Sequence, residues 1–204
     1  IYIHIPFCKQ KCSYCDFHFS TALKHKNDLL KALIIEIEQQ KKLLNTSITT
    51  IYFGGGTPSL LQIDDLKLII NAIYQNYNVA KNIEFTLECN PDDLTPQKLK
   101  ALKKIGINRL SIGVQSFFND DLQFFNRAHN AQEAEKSILI SQAAGFENIT
   151  VDLIYGTPIL TLKKWEQNLK KIAQLNIPHL SAYSFSTTGA KGINSVRSKD
   201  SFSQ

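Results

Sequence analysis

The stretch IEFTLEC, residues 83–89, sorts its side chains into two sets. Ile83, Phe85, Leu87 and Cys89 are apolar; Glu84, Thr86 and Glu88 between them are polar. Successive side chains of a strand point to opposite faces, so this strand has one greasy face and one polar face. The same division recurs elsewhere. In residues 1–5, Tyr2 and His4 oppose Ile1, Ile3 and Ile5. In residues 109–115, Arg109, Ser111, Gly113 and Gln115 oppose Leu110, Ile112 and Val114. In residues 150–155, Thr150 and Asp152 oppose Val151, Leu153 and Tyr155. Further short strands are expected at 49–53 and 179–185.

Between these strands run helical patterns at 24–44, 63–77, 96–105, 131–144 and 163–175. Gly106 and Gly145 stand where helix C-caps belong, and Thr95-Pro96 and Thr161 near helix starts. Strand and helix in regular alternation imply parallel pairing with right-handed crossovers. A complete eight-unit barrel takes about 250 residues, more than the 204 of this chain. The expectation is an α/β fold, a partial (β/α)6 TIM-like parallel barrel, open on one side. Strands buried for stability alone read as near-continuous apolar runs, so a polar inner face should bind something. An antiparallel sheet with one wet face is the competing arrangement; the intervening helices argue against hairpins.

Composition narrows the class. Hydrophobic residues make up 43% of the chain, enough for one sizeable core. No stretch approaches the roughly 20 apolar residues of a membrane span, and no basic leader precedes IYIHI. A cytoplasmic protein is expected. There is no Met, and the chain opens directly on a strand, as a fragment would. The net charge of +5 comes from 23 Lys and Arg against 18 Asp and Glu, most of them reading as solvated helix faces.

The first strand runs into HIPFCKQKCSYCDF, residues 4–17, where Cys8, Cys12 and Cys15 fall in a C-x3-C-x2-C spacing. Three clustered thiols call for a soft metal. A structural zinc site takes four ligands; a four-iron cluster on three cysteines leaves one iron open to another ligand. Phe7, Tyr14 and Phe17 would shelter such a cluster. Cys89, on the greasy face, reads as a buried thiol rather than a fourth ligand.

The loop CKQKCSYC after the first strand, with FGGGTPS after the second, resembles the radical S-adenosylmethionine (SAM) superfamily. YIHIPFC, GGGTPSLL, ECNPDD, LSIGVQSF, NRAH, VDLIYGTP and HLSAYSF follow in order. Together they resemble the branch holding oxygen-independent coproporphyrinogen III oxidase and the heme chaperones of the HemW type, over residues 1 to about 185. The resemblance implies a [4Fe–4S] cluster on Cys8, Cys12 and Cys15, its open iron chelated by SAM, and cleavage of SAM to a 5′-deoxyadenosyl radical. It implies SAM contacts from Tyr2, Tyr14, Gly55, Gly56, Thr57, Glu88, Gln115, Arg127 and Asp152. Glu88, Gln115 and Asp152 already fall on the face read as inward from alternation alone. His4 and His129 read as structural histidines.

Within the branch, oxidases resembling this loop carry a further cysteine where this chain has Phe17. The heme-chaperone type is therefore expected, with heme or porphyrin and a heme-acceptor protein as partners and heme bound in the full-length protein. An electron donor such as flavodoxin or ferredoxin is implied as well. If the chain is an enzyme, the resemblance makes it an oxidoreductase on coproporphyrinogen III. A tRNA-modifying radical enzyme is a third reading, motivated by the basic charge alone; nucleic acid is otherwise not expected, and membrane contact at most peripheral. Residues 1–186 are expected to form the radical SAM core. Residues 187–204, rich in Ser, Lys and Gly, read as a poorly ordered tail, with the family's C-terminal domain absent.

Overall fold

The computed structural model describes residues 1–16 and 18–186. Phe17 and the expected tail at 187–204 lie outside the described residues.

Six strands form one sheet: β1 (Tyr2–Ile5), β2 (Ile48–Gly55), β3 (Val79–Cys89), β4 (Arg109–Gln115), β5 (Asn148–Tyr155) and β6 (His179–Ser184). They lie in sequence order and every neighbouring pair is parallel. β1 and β6 are the two edges among the described residues, so the sheet is open rather than closed. The helices are α1 (Lys26–Gln40), α2 (Ile63–Asn76), α3 (Pro96–Lys104), α4 (Asn119–Phe124), α5 (Ala131–Ala143) and α6 (Leu162–Gln174). None among the described residues is long and apolar enough to cross a membrane.

The greasy faces do as alternation requires. Ile51, Phe53, Phe85, Leu87, Leu110, Ile112, Val114, Val151 and Leu153 are fully buried. They pack with the apolar stripe of α2 (Leu66, Ile69, Ile70, Ile73) and with Leu99, Leu102 and Ile138 in one core. Phe53 and Phe85 stack at 5.6 Å between ring centres. Truncating either to Ala would cost about 3–5 kcal/mol.

The ends of the helices are chemically marked. The side chains of Thr95 and Thr161 each accept from a backbone N–H three residues on, at 3.2 Å. Asn130 and Glu133 bond reciprocally in a capping box that opens α5. Gly106 and Gly145 follow α3 and α5 with φ of +97° and +84°, where a side chain would be strained.

Three differences from the sequence reading have physical causes. β3 starts at Val79, because Val79 pairs with Ile48 ahead of an irregularity in the β2–β3 register. α4 was not expected, since six residues are too few to display a helical period. The long helix at 24–44 is α-helical only over Lys26–Gln40, flanked by 3-10 turns at Leu23–His25 and Lys41–Leu43.

Candidate functional site

The polar faces and the loops at the C-terminal ends of the strands enclose a cavity of about 710 Å³. All the residues singled out from the sequence as metal or cofactor ligands line it. They are Cys8, Cys12 and Cys15, Tyr2, Tyr14, Gly55, Gly56, Thr57, Glu88, Gln115, Arg127 and Asp152. His4 lines it too; His129 does not.

The thiol loop leaves β1 and is clasped from two sides. On one side, Lys9 pairs with Asp92 at 2.5 Å and with Asp93, just beyond β3. On the other, the loop meets the end of α4. Ser13 N–H donates to the Phe125 carbonyl at 3.0 Å and Ser13 Oγ to the Phe124 carbonyl at 2.7 Å. Gln10 Nε2 donates to the Asn126 carbonyl at 2.6 Å, and Asn126 Nδ2 returns a bond to the Lys11 carbonyl at 2.7 Å. Asn126 manages this with a φ of +54°, in the left-handed region that Asn tolerates better than most residues. The Tyr14 ring meets Phe125 edge to face at 5.3 Å.

The three loop thiols are half-buried. Burial pushes the Cys8 thiol up, an effect that the Thr57 hydroxyl partly offsets. Among the described residues, no three His, Cys, Asp or Glu side chains converge closely enough to hold a single metal ion. All three loop thiols line the cavity. Cys89 is different: it is buried, its thiol donates to the Leu87 carbonyl at 3.5 Å, and desolvation drives its pKa far upward. It is held as a protonated thiol.

The glycine run ending β2 is fixed by its neighbours. A β-carbon on Gly55, whose φ is +110°, would lie 2.6 Å from the His4 ring, and one on Gly54 would lie 2.8 Å from the Tyr52 ring. Glu88 holds the same turn from β3. Its Oε2 accepts from Gly55 N–H at 3.0 Å and its Oε1 from the Tyr52 hydroxyl at 2.7 Å. Burial raises the Glu88 carboxyl, and these two bonds oppose the rise. Burial likewise raises Asp152, opposed by hydroxyls of Ser181 and Ser111. Tyr52, stacked on Tyr2 at 6.0 Å, is thus part of the site. It was missed from sequence, although the register places it opposite Tyr2 and Thr86 on the polar face.

Gln115 reaches the cavity by a bulge. Gly113 pairs with Asp152, yet Gln115 pairs with the next residue, Leu153, and its φ is +64°. Its Oε1 is buried without a protein partner, and so is Arg127 Nε. Asn90 was also missed, though it lies within the ECNPDD motif. It accepts from Arg127 Nη2 at 2.7 Å and donates to Thr57 Oγ1 at 3.4 Å.

These features fit an iron–sulfur cluster with a small polar ligand beside it. Three thiols share one wall. An orphaned acceptor and an orphaned donor are buried at the same cavity. Two carboxylates, Glu88 and Asp152, offer negative charge to a cationic ligand.

Comparison with known proteins agrees. The sequence model of the Radical SAM superfamily matches residues 2–172. The heme chaperone HemW of Bacillus subtilis is 40% identical over 186 residues, 90% of this chain and 49% of that protein. HemW of Escherichia coli is 35% identical over 187 residues, again 90% of this chain and 49% of that protein. Among solved structures, coproporphyrinogen III oxidase (HemN) from Escherichia coli superposes with a TM-score of 0.83 at 30% identity, covering 91% of this chain and 43% of the other. The chain spans about half the length of the curated relatives it matches. With the family model running through five of the six strands and the thiol loop, the chain belongs to the radical SAM superfamily.

Proposed function

We propose that this chain is the cluster- and SAM-binding core of a heme chaperone of the HemW type. The observation that carries the reading is the shared wall: Cys8, Cys12 and Cys15 face the same cavity as the Gly55–Gly56–Thr57 turn. The three thiolates would hold three irons of a [4Fe–4S] cluster, leaving one iron for SAM. When bound, the pair supplies one-electron reductive chemistry at the SAM sulfonium.

The chain's own residues would divide the remaining work. The glycine turn would receive the amino group of SAM, with Glu88 holding Gly55 in place. Gln115 Oε1, Arg127 Nε and Asp152 would supply the polar contacts, and Tyr2 would stand at the mouth beside the sulfonium. The aromatic wall of Tyr14, Phe125 and Phe185 would keep water from the cluster side. Phe17, where the oxidases carry another cysteine, and the identity to HemW proteins support the chaperone reading over the oxidase. The full-length protein would bind heme and pass it to an acceptor protein, in the cytoplasm. A flavodoxin or ferredoxin would be the electron source.

A second reading, radical oxidation of coproporphyrinogen III, is favoured by the likeness to the HemN structure. Anaerobic reconstitution of the full-length protein separates the two. The chaperone reading expects a Soret band on adding heme and no change in coproporphyrinogen. Release of 5′-deoxyadenosine with loss of porphyrinogen carboxylates would replace it with the oxidase. If Cys12→Ala took up as much iron as the parent, the cluster assignment itself would fail.

A further inference from the structure

The geometry points to Arg127 as a positioning residue for Cys12, one that holds this thiol and sets the reduction potential of the cluster bound there. This rests on Cys8, Cys12 and Cys15 being the cluster ligands.

A guanidinium carries five N–H donors in a rigid fork. In Arg127 the fork is nearly all committed to protein. Nη2 donates to Asn90 Oδ1 at 2.7 Å and to the Gly113 carbonyl at 2.8 Å. Nη1 donates to Cys12 Sγ at 3.3 Å and to the Tyr14 hydroxyl at 3.2 Å. Only Nε, buried without a partner, is left for a small ligand. The cation therefore ties the end of β3 and the bulged end of β4 to the middle thiol of the loop.

The neighbouring residue makes this joint rigid. Asn126 exchanges two bonds with Gln10 and Lys11, immediately before Cys12. The guanidinium cannot drift from the sulfur without breaking contacts to three separate segments.

A fixed positive charge that donates a hydrogen bond to a cysteine sulfur favours the more negative form of a cluster. Hydrogen bonds to the sulfurs and net local charge are among the terms that set cluster potentials. One-electron reduction adds one negative charge to the cluster, so Arg127 raises the potential at which an external reductant delivers that electron.

The test uses the full-length protein, reconstituted anaerobically with iron and sulfide, as the parent and as Arg127→Gln, Arg127→Lys and Asn90→Ala. Iron and sulfide per chain are measured. The midpoint potential is then read by dithionite titration followed by electron paramagnetic resonance, without SAM. The expected result is a midpoint shifted to lower potential, most in Arg127→Gln and less in Arg127→Lys and Asn90→Ala. Loss of iron from Arg127→Gln with an unchanged circular dichroism spectrum also supports the inference, since holding Cys12 is part of it. If that variant loses its fold as well, the Arg127→Lys and Asn90→Ala midpoints decide, and both must fall. An unchanged midpoint with an intact cluster overturns the role, even if SAM affinity drops. A parent protein that takes up no cluster overturns the underlying reading instead.

Discussion

Gly56 lies flat against the backbone of Phe7. A β-carbon on Gly56 would sit 2.7 Å from the Phe7 carbonyl oxygen, 2.9 Å from its nitrogen and 3.0 Å from Cys8 Sγ. Gly56 N–H also donates to the Ile5 carbonyl at 2.8 Å, so the two segments have no slack between them. Gly56→Ala should push the thiol loop off the glycine turn. The expected loss is about 1–3 kcal/mol, as for other overpacked sites, together with lower iron uptake. A thermal melt and an iron assay check it; parental values for both would show that the loop yields freely. Gly54→Ala should be milder in iron uptake, because it meets the ring edges of Tyr52 and Tyr2 rather than backbone.

Both oxygens of Glu88 are occupied, one by Tyr52 and one by Gly55. In Glu88→Gln one of those donors would face an amide N–H. Leaving a buried donor unpaired costs about 1–3 kcal/mol. The variant should therefore melt earlier and bind SAM at least several-fold more weakly, since the turn loses its support. Calorimetric titration of the reconstituted protein with SAM measures the second effect. Unaltered affinity would mean that the turn holds its shape without Glu88.

His129 gives the fold a pH dependence of definite sign. It is buried, its Nε2 bonds the Val114 carbonyl at 3.2 Å, and its Nδ1 has no partner. Burial, reinforced by the Arg127 charge, lowers its pKa to about 4 from 6.5, against a weaker upward pull from the Val114 bond and Asp92. Between those values the unfolded chain holds the proton more tightly. Stability is therefore retained above about pH 6.5 and falls as pH drops towards 4, by about 3 kcal/mol in all. His129→Gln keeps a donor for Val114 and should flatten this slope. Urea unfolding of parent and variant between pH 7 and 4.5 checks it, and parallel curves would remove His129 as the cause.

Much of the site was legible because strand alternation is a strong rule. It placed Glu88 and Asp152 inward, and both line the cavity; it placed Cys89 with the core side chains, where it is buried, although Cys89 borders the cavity as well. Gln115 also faces the cavity, but through a bulge and a positive φ that alternation does not describe. What joins Arg127 to Cys12 was not legible, because no periodicity relates residues 115 positions apart. The capping box of Asn130 and Glu133 carried a readable signature, whereas α4 was too short to carry any.

Asn126 tests the clasp directly. Asn126→Ala would keep a β-carbon at a φ of +54° and lose the bond to Lys11. About 1–2 kcal/mol of strain and about 1 kcal/mol for the bond are then at stake. Asn126→Gly relieves the strain and loses only the bond, so it should be the more stable of the two. Both should speed alkylation of Cys12 in the cluster-free protein. Equal stabilities, or unchanged labelling rates, would show that the loop is held elsewhere.

The order of the strands along the chain has a consequence for biosynthesis. Cys8, Cys12 and Cys15 leave the ribosome long before Phe124, Phe125, Asn126 and Arg127, their partners across the clasp. At elongation rates of about 5–20 residues per second the interval is on the order of ten seconds. Throughout it the thiols are present without the contacts that Phe124, Phe125, Asn126 and Arg127 supply. On the proposed reading, cluster insertion into a correctly shaped loop would wait for translation to pass Arg127, and a chain stalled before that point would offer iron three thiols without their clasp.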